Sequence, residues 1–348
     1  MSISKAIPAN AERVAVGGPW FEDFELGRVF DDAPAITLTA GHAAMHQAIV
    51  GDRLRLALDA GLCRAVTGEE RLLAHPNLVC DVAIGQSTGP SQRVRGNLFY
   101  RGLVVLRPVF IGDTLRTQTE VVGLKQNRPR DEGPATGMVV LRIRTENQHG
   151  EPVLDFHRCP LIPLRDRRAE TGHTDTFDAI SAELDPDRVE AAIPHHWRFA
   201  EFRERLDGDH LADVAPGTTY VIEGRDTVTC APELARMTLN LAMTHLDARG
   251  GAHGRRLAYG GHTISIAAAQ ATRALPNLVT IIGWHRCEHL APVFEEDVLS
   301  SELTVESARQ AADLDAGLVD LRTVVEAERA ADGGRTTVLD WRFVALMA

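Results

Sequence analysis

The chain has 348 residues, more than one hydrophobic core usually serves, which points to about two domains. Its 44% hydrophobic content is that of a globular protein, and no apolar run reaches the ~18 residues of a membrane span. A net charge of -11 argues against a general nucleic-acid binder, and five cysteines without a C-x-x-C spacing fit a reducing cytoplasm.

Residues 1–18, MSISKAIPANAERVAVGG, lack the apolar core of a secretory signal and read as a flexible tail. DFELGRVFDDAPAITLT at 23–39 predicts an opening strand, and TAGHAAMHQA a helix with His42 and His46 on one face. VGDRLRLALD follows, in which Asp52 reads by default as a surface carboxylate. LRTQTEVVGL and GMVVLRIRTEN alternate apolar and polar residues, as half-buried strands do. Residues 166–198 are charged and poor in aromatics, and are expected to form a linker with a short helix.

The same order of elements then recurs. DVAPGTTYVIEGRDTVT at 213–229 aligns with residues 23–39, APVFEEDVL at 291–299 with RPVFIGDTL at 107–115, and VLDWRFVALM at 338–347 with VLDFHRCPLI at 153–162. Three blocks in one order mean duplication, giving halves at 19–165 and 199–348. In each half the helices come early and the strands late, which predicts α+β and not a parallel α/β sheet.

The stretch NLAMTHLDARGGAHGRRLAYGGHTISIA, 240–267, places Asn240 five positions before His245, a basic pair at Arg255 and Arg256, and Gly260-Gly261 at the start of an apolar helical pattern. Taken alone, His245 reads equally well as a core histidine bonded to backbone. HRCEH at 285–289 would set His285, Cys287 and His289 on one strand face, but without an obvious fourth ligand, so no metal site is expected. TAGHAAMHQA lacks the Glu of a zincin, and there is no G-x-S-x-G elbow, P-loop or dinucleotide fingerprint.

The repeated half with P-V-F-x-x-D near its middle resembles the hotdog fold of MaoC-type enoyl-CoA hydratases, from about Trp20 onward. ARMTLNLAMTHLDA, GRRLAYGGHTISIA, LRPVFIGDTL and the PNL at 276–278 are similar to segments of mesaconyl-CoA (2-methylfumaryl-CoA) hydratases. The resemblance implies a tandem double hotdog, each half a bent antiparallel sheet wrapped around a central helix. In MaoC-type hydratases an Asp and a His five apart hold the water that adds to the double bond. Here the second half keeps the histidine as His245 and has Asn240 at the acid position, while the first half has Asp52 but Ala57 in place of the histidine. One active site per chain is therefore expected, in the C-terminal half, with the N-terminal half a degenerate structural partner that helps shape the acyl pocket.

An amide at position 240 makes physical sense for a substrate with its own carboxylate on the double bond. A catalytic Asp ~4 Å away would repel that carboxylate by ~4 kcal/mol at an effective dielectric near ~20. His245 is then the expected general base, with Asn240 orienting water. Tyr259, Gly260, Gly261 and His262 are expected around the substrate, the helix amides serving as an oxyanion hole. His262 either lines the pocket or packs on Tyr259. Arg255 and Arg256 are candidates for CoA phosphates, with solvated surface charge as the alternative.

Implied are no cofactor beyond the CoA of an acyl-CoA substrate, no nucleic-acid or membrane partner, and a homo-oligomer. Rival functions are an (R)-3-hydroxyacyl-CoA dehydratase for fatty chains, a non-catalytic acyl-CoA-binding hotdog and a thioesterase. A closed pocket or one containing an arginine would favour a dicarboxylic acyl group; a long apolar tunnel would favour fatty chains.

Overall fold

A computed structural model describes residues 14–128, 133–249 and 254–348; parts of the predicted tail and of the 240–267 stretch lie outside them. The first half runs through β1 (Val29–Phe30), β2 (Ile36–Thr37), α1 (Ala40–Val50), α2 (Ala60–Thr67), α3 (Pro76–Gln86), β3 (Gly96–Val105), β4 (Thr114–Gln126), β5 (Thr136–Glu146) and β6 (Pro152–Pro163). Two helices, α4 (Pro186–Ala191) and α5 (Phe199–Arg205), lead to the second half. That half comprises β7 (Thr219–Val221), β8 (Asp226–Thr227), α6 (Ala231–Met237), α7 (Met243–Leu246), α8 (Gly260–Ala274), β9 (Leu278–His289), β10 (Val298–Gln310), β11 (Gly317–Glu328) and β12 (Arg335–Met347). In each half three α-helices thus lie between the short opening strands and the long ones, the helices-early, strands-late order that the sequence predicts.

All strands join one antiparallel sheet in the order β1-β4-β5-β6-β3-β9-β12-β11-β10-β7, with β2 on β4 and β8 on β10. Read outward from the β3–β9 junction, both directions give the same order, which is the duplication expressed as topology. At the junction Tyr100 faces Cys287 and Leu103 faces Trp284.

Two helices fill the concave face. Every residue of α3 is buried, as are Gly261 to Thr272 of α8, so neither shows the polar stripe of a surface helix. The main apolar core cluster draws on both halves, from Leu78, Val82 and Phe156 to Ile264, Trp284 and Trp341, and a second one, from Leu56 and Val66 to Leu318 and Leu346, does so too.

The repeated P-V-F-x-x-D is a turn lock. In the first copy Asp113 accepts the Phe110 amide at 2.9 Å, and in the second Asp297 accepts that of Phe294 at 3.0 Å. Each locked Phe bridges the strand-like residue before the central helix, Leu73 in one half and Leu257 in the other. The signature thereby aims the start of each central helix.

The charged 166–198 segment docks on both halves instead of crossing solvent. Asp175 accepts the Leu124 amide at 2.8 Å, Arg101 donates to the Ile180 carbonyl, and Leu184, Val189 and Trp197 are buried. Its short helix is α4.

Candidate active site

A cavity of about 240 Å³ opens where α8 begins. Asn240, His245, Tyr259 and Gly260 line it, so the sequence-derived residues converge, and the first half contributes Ile84, Thr88, Tyr100 and Arg158.

The loop carrying Asn240 and His245 is held by both halves. Two residues beyond α6 stands Leu239, a non-glycine residue at φ +61°, a conformation kept only where its surroundings impose it. The Asn240 amide then returns to the Ala235 carbonyl at 2.8 Å. From the first half, Thr88 Oγ1 accepts the Leu241 amide at 2.8 Å and the Gln92 carbonyl accepts that of Met243 at 2.9 Å. Gly85 of α3 lets the loop approach closely, since a Cβ there would lie 1.7 Å from the Thr238 carbonyl oxygen. Asn240 Oδ1 accepts the Ala242 amide at 3.0 Å, fixing the side chain and leaving a second lone pair and the NH₂ group.

His245 sits on the one-turn helix α7. Its Nδ1 lies 2.8 Å from the Leu257 carbonyl, and because a carbonyl only accepts, Nδ1 carries the proton and the Nε2 lone pair is left for the cavity. Burial lowers its pKa to about 4, with the Arg158 cation adding to the shift and the Leu257 bond opposing it. At neutral pH the ring is an unprotonated acceptor. Its orientation traces back to the turn lock, because Asp297 holds Phe294 and Phe294 bridges Leu257.

Helix α8 starts without a side-chain cap. Thr39, Asp59, His75 and Asp185 cap α1 to α4 through their side chains, whereas Tyr259 at the head of α8 makes no such bond. Uncapped N-terminal amides beside a cavity are donors for a developing negative charge. The two glycines are steric necessities: a Cβ on Gly260 would meet His289 Nε2 at 2.6 Å, and one on Gly261 would meet Asp81 Oδ1 at 1.9 Å. Burial, and then the Asp81 carboxylate, push the Tyr259 hydroxyl well above its ordinary pKa, so it remains a phenol.

Other expectations end elsewhere. His262 is fully buried but does not line the cavity; neither ring nitrogen has a partner, and burial with nearby His46 lowers its pKa to about 4. Arg256 is paired with Glu295 at 2.6 Å and Arg255 lies over the Phe294 ring, 4.3 Å from its centre. Both stand outside the cavity lining.

Asp52 is not a surface carboxylate. It is 2% exposed, accepts the Leu54 amide and pairs with His75 Nε2 at 3.0 Å; burial would raise its pKa, but the His75 ring and hydrogen bonds hold it below the usual value. Its partner His75 comes from the head of another helix, a contact that the polarity of VGDRLRLALD could not reveal. His42 bonds Thr39 at the start of α1, while His46 turns inward to Asp81 at 3.5 Å.

The HRCEH residues do not share a face either. A register shift on β9 sends His285 outward to Glu183 and Asp320, each at 3.0 Å, while Cys287 enters the core and His289 reaches the cavity. Among the described residues no group of three such side chains is placed to hold a metal ion.

Sequence reading missed Tyr100 and Arg158, and weighed His289 only as a metal ligand. His289 is half-buried, with its Nε2 atom inside and unpartnered, and desolvation of the ring with neighbouring His245 lowers its pKa to about 4. A signal for Arg158 existed: in the repeat VLDFHRCPLI/VLDWRFVALM it occupies the place of Phe343, a charge where the copy has a core aromatic.

The fold is that of MaoC-like double hotdog proteins, and the named enzymes among its relatives are hydro-lyases. A Mycobacterium tuberculosis protein described as having a double hotdog fold and as essential for bacterial survival during infection is 49% identical, with a TM-score of 0.87 over 96% of this chain and 100% of that one. The family model described as Mesaconyl-CoA hydratase matches residues 6–283, and the chain belongs to that family. It is 30% identical to the mesaconyl-CoA hydratase of Cereibacter sphaeroides over 88% of this chain and 89% of that protein. It is likewise 30% identical to the β-methylmalyl-CoA dehydratase of Chloroflexus aurantiacus, over 90% and 89%.

Proposed function

We propose that the chain reversibly hydrates mesaconyl-CoA to β-methylmalyl-CoA. The observation that carries this reading is His245, its Nδ1 fixed on Leu257 and its Nε2 free at a cavity headed by the uncapped start of α8. His245 Nε2 takes a proton from water as the water oxygen bonds to the β-carbon, which bears the substrate carboxylate. Asn240 orients that water. The π electrons move toward the thioester oxygen, and the α8 amides stabilise the enolate. The imidazolium then returns its proton to the α-carbon, a step favoured by the strong acidity that burial gives it. Water is added, the thioester stays intact, and CoA serves only as the substrate's handle.

The confined cavity and its arginines favour a short dicarboxylic acyl group over a fatty chain. The test is loss of enoyl-thioester absorbance with mesaconyl-CoA and, separately, crotonyl-CoA, alongside a free-thiol assay. The expected result is faster turnover of mesaconyl-CoA, a ~10²–10⁴-fold loss in His245→Ala, and no thiol release. Preference for crotonyl-CoA, release of thiol, or binding without turnover would each overturn the reading.

A further inference from the structure

The cavity is cationic on an acidic protein. The chain carries 48 Asp and Glu against 37 Lys and Arg, yet two arginines, Arg95 and Arg158, line the cavity and no carboxylate does. Arg158 is 3% exposed. Its hydrogen bonds, to the Ser87 carbonyl at 2.6 Å and Ser91 Oγ at 2.7 Å, both fall on one terminal nitrogen. Nε is buried without a partner, and no carboxylate pairs with the group among the described residues. A guanidinium stays protonated even where burial disfavours its charge, so Arg158 is a buried cation without a counter-ion.

Such a group is destabilising unless an anion completes it. The fold does not require one there. In the first half Arg158 faces Leu141 across the sheet, and at the equivalent place in the second half Phe343 faces Leu321 and stacks on Trp341. The position therefore accommodates an aromatic, and the arginine departs from the repeat where it borders the cavity and lowers the His245 pKa.

We propose that Arg158 binds the carboxylate that the acyl group carries on its double bond, so that the hotdog lacking a catalytic histidine supplies the specificity for a dicarboxylic acyl-CoA. This rests on the hydratase reading. The guanidinium neutralises charge beside the carbon that water attacks and offers unused N–H donors to two carboxylate oxygens. A CoA phosphate is the poorer candidate, because Arg158 acts on His245 itself, whereas the phosphates lie a pantetheine length from the reacting carbons.

The experiment compares wild type, Arg158→Met and Arg158→Lys on mesaconyl-CoA and crotonyl-CoA, and measures calorimetric binding of the unreactive methylsuccinyl-CoA and butyryl-CoA. In Arg158→Met, kcat/KM for mesaconyl-CoA should fall ~10²-fold or more while that for crotonyl-CoA is kept or rises. Arg158→Lys, which keeps the charge but not the fork, should show a smaller loss confined to the same substrate and serves if the Met variant fails to fold. Equal loss on both substrates would show a structural or CoA-phosphate role and overturn the proposal, as would no loss on either. Binding separates the two readings: if wild type turns over neither substrate yet prefers methylsuccinyl-CoA through Arg158, the hydratase reading falls and the carboxylate site stands. No preference there means that the site falls as well.

Discussion

His245 combines two constraints that usually conflict. A base must be accessible, yet its tautomer must be fixed, and the Leu257 carbonyl fixes it without occupying Nε2. Burial and Arg158 hold its pKa at about 4, so the free enzyme keeps its base unprotonated across the neutral and mildly acidic range. The acid limb of kcat/KM, which reports the free enzyme, should therefore fall near pH 4 and not near the ordinary histidine value of about 6.5. A carboxylate on Arg158 offsets the cation that depresses His245, so the limb of kcat should lie at higher pH, and Arg158→Met should shift the kcat/KM limb upward too. Initial-rate profiles between pH 3.5 and 8, with folding monitored at each pH, check this; a kcat/KM limb above pH 6 would exclude a buried base of this kind.

At the scale of elements, α8 was legible because its signals are local. The glycine pair and the apolar period both place its start at Gly260, where it is found. The turn lock was legible as a motif, but its purpose was not, since the Phe294–Leu257 bridge joins residues far apart in sequence. For the same reason Arg158 was hidden: its neighbours Ser87, Tyr100 and Tyr259 come from other elements, and only the broken symmetry with Phe343 was visible in one dimension. Gly261 tests the geometry of the helix start. Alanine there would gain ~1 kcal/mol of helix propensity, but its Cβ would stand 1.9 Å from Asp81 Oδ1 and 2.4 Å from the Tyr259 ring. Overpacking of that kind costs ~1–3 kcal/mol, so the clash wins. Gly261→Ala should lower Tm and, by displacing the α8 amides, reduce kcat; a raised Tm with unchanged kcat would mean that the close approach is not required.

For the molecule as a whole, the buried histidines tie stability to pH. His245, His262 and His289 each have a pKa of about 4 in the folded chain, with burial the main cause, against about 6.5 in an unfolded one. Between those values the unfolded state binds more protons, so stability is full above about pH 6.5 and falls as the pH drops toward 4. Each group contributes ~1.4 kcal/mol per pH unit, and the three together ~4, a large share of the ~5–15 kcal/mol that keeps a domain folded. Acid unfolding should thus begin well above the carboxylate range, and Asp52, held below its ordinary pKa by His75, adds a further loss of stability once the pH falls into that range. Core clusters and one sheet that each span both halves make this loss a shared one, expected as a single transition. His262 isolates the effect, because it lies outside the cavity and neither ring nitrogen has a partner. Urea unfolding of His262→Leu should show the pH slope reduced by about one proton and a gain in stability that grows from pH 7 to pH 5. A wild-type stability that stays flat down to pH 5 would mean that these rings take up protons inside the folded chain, and the buried cluster around α8 would then have to admit water.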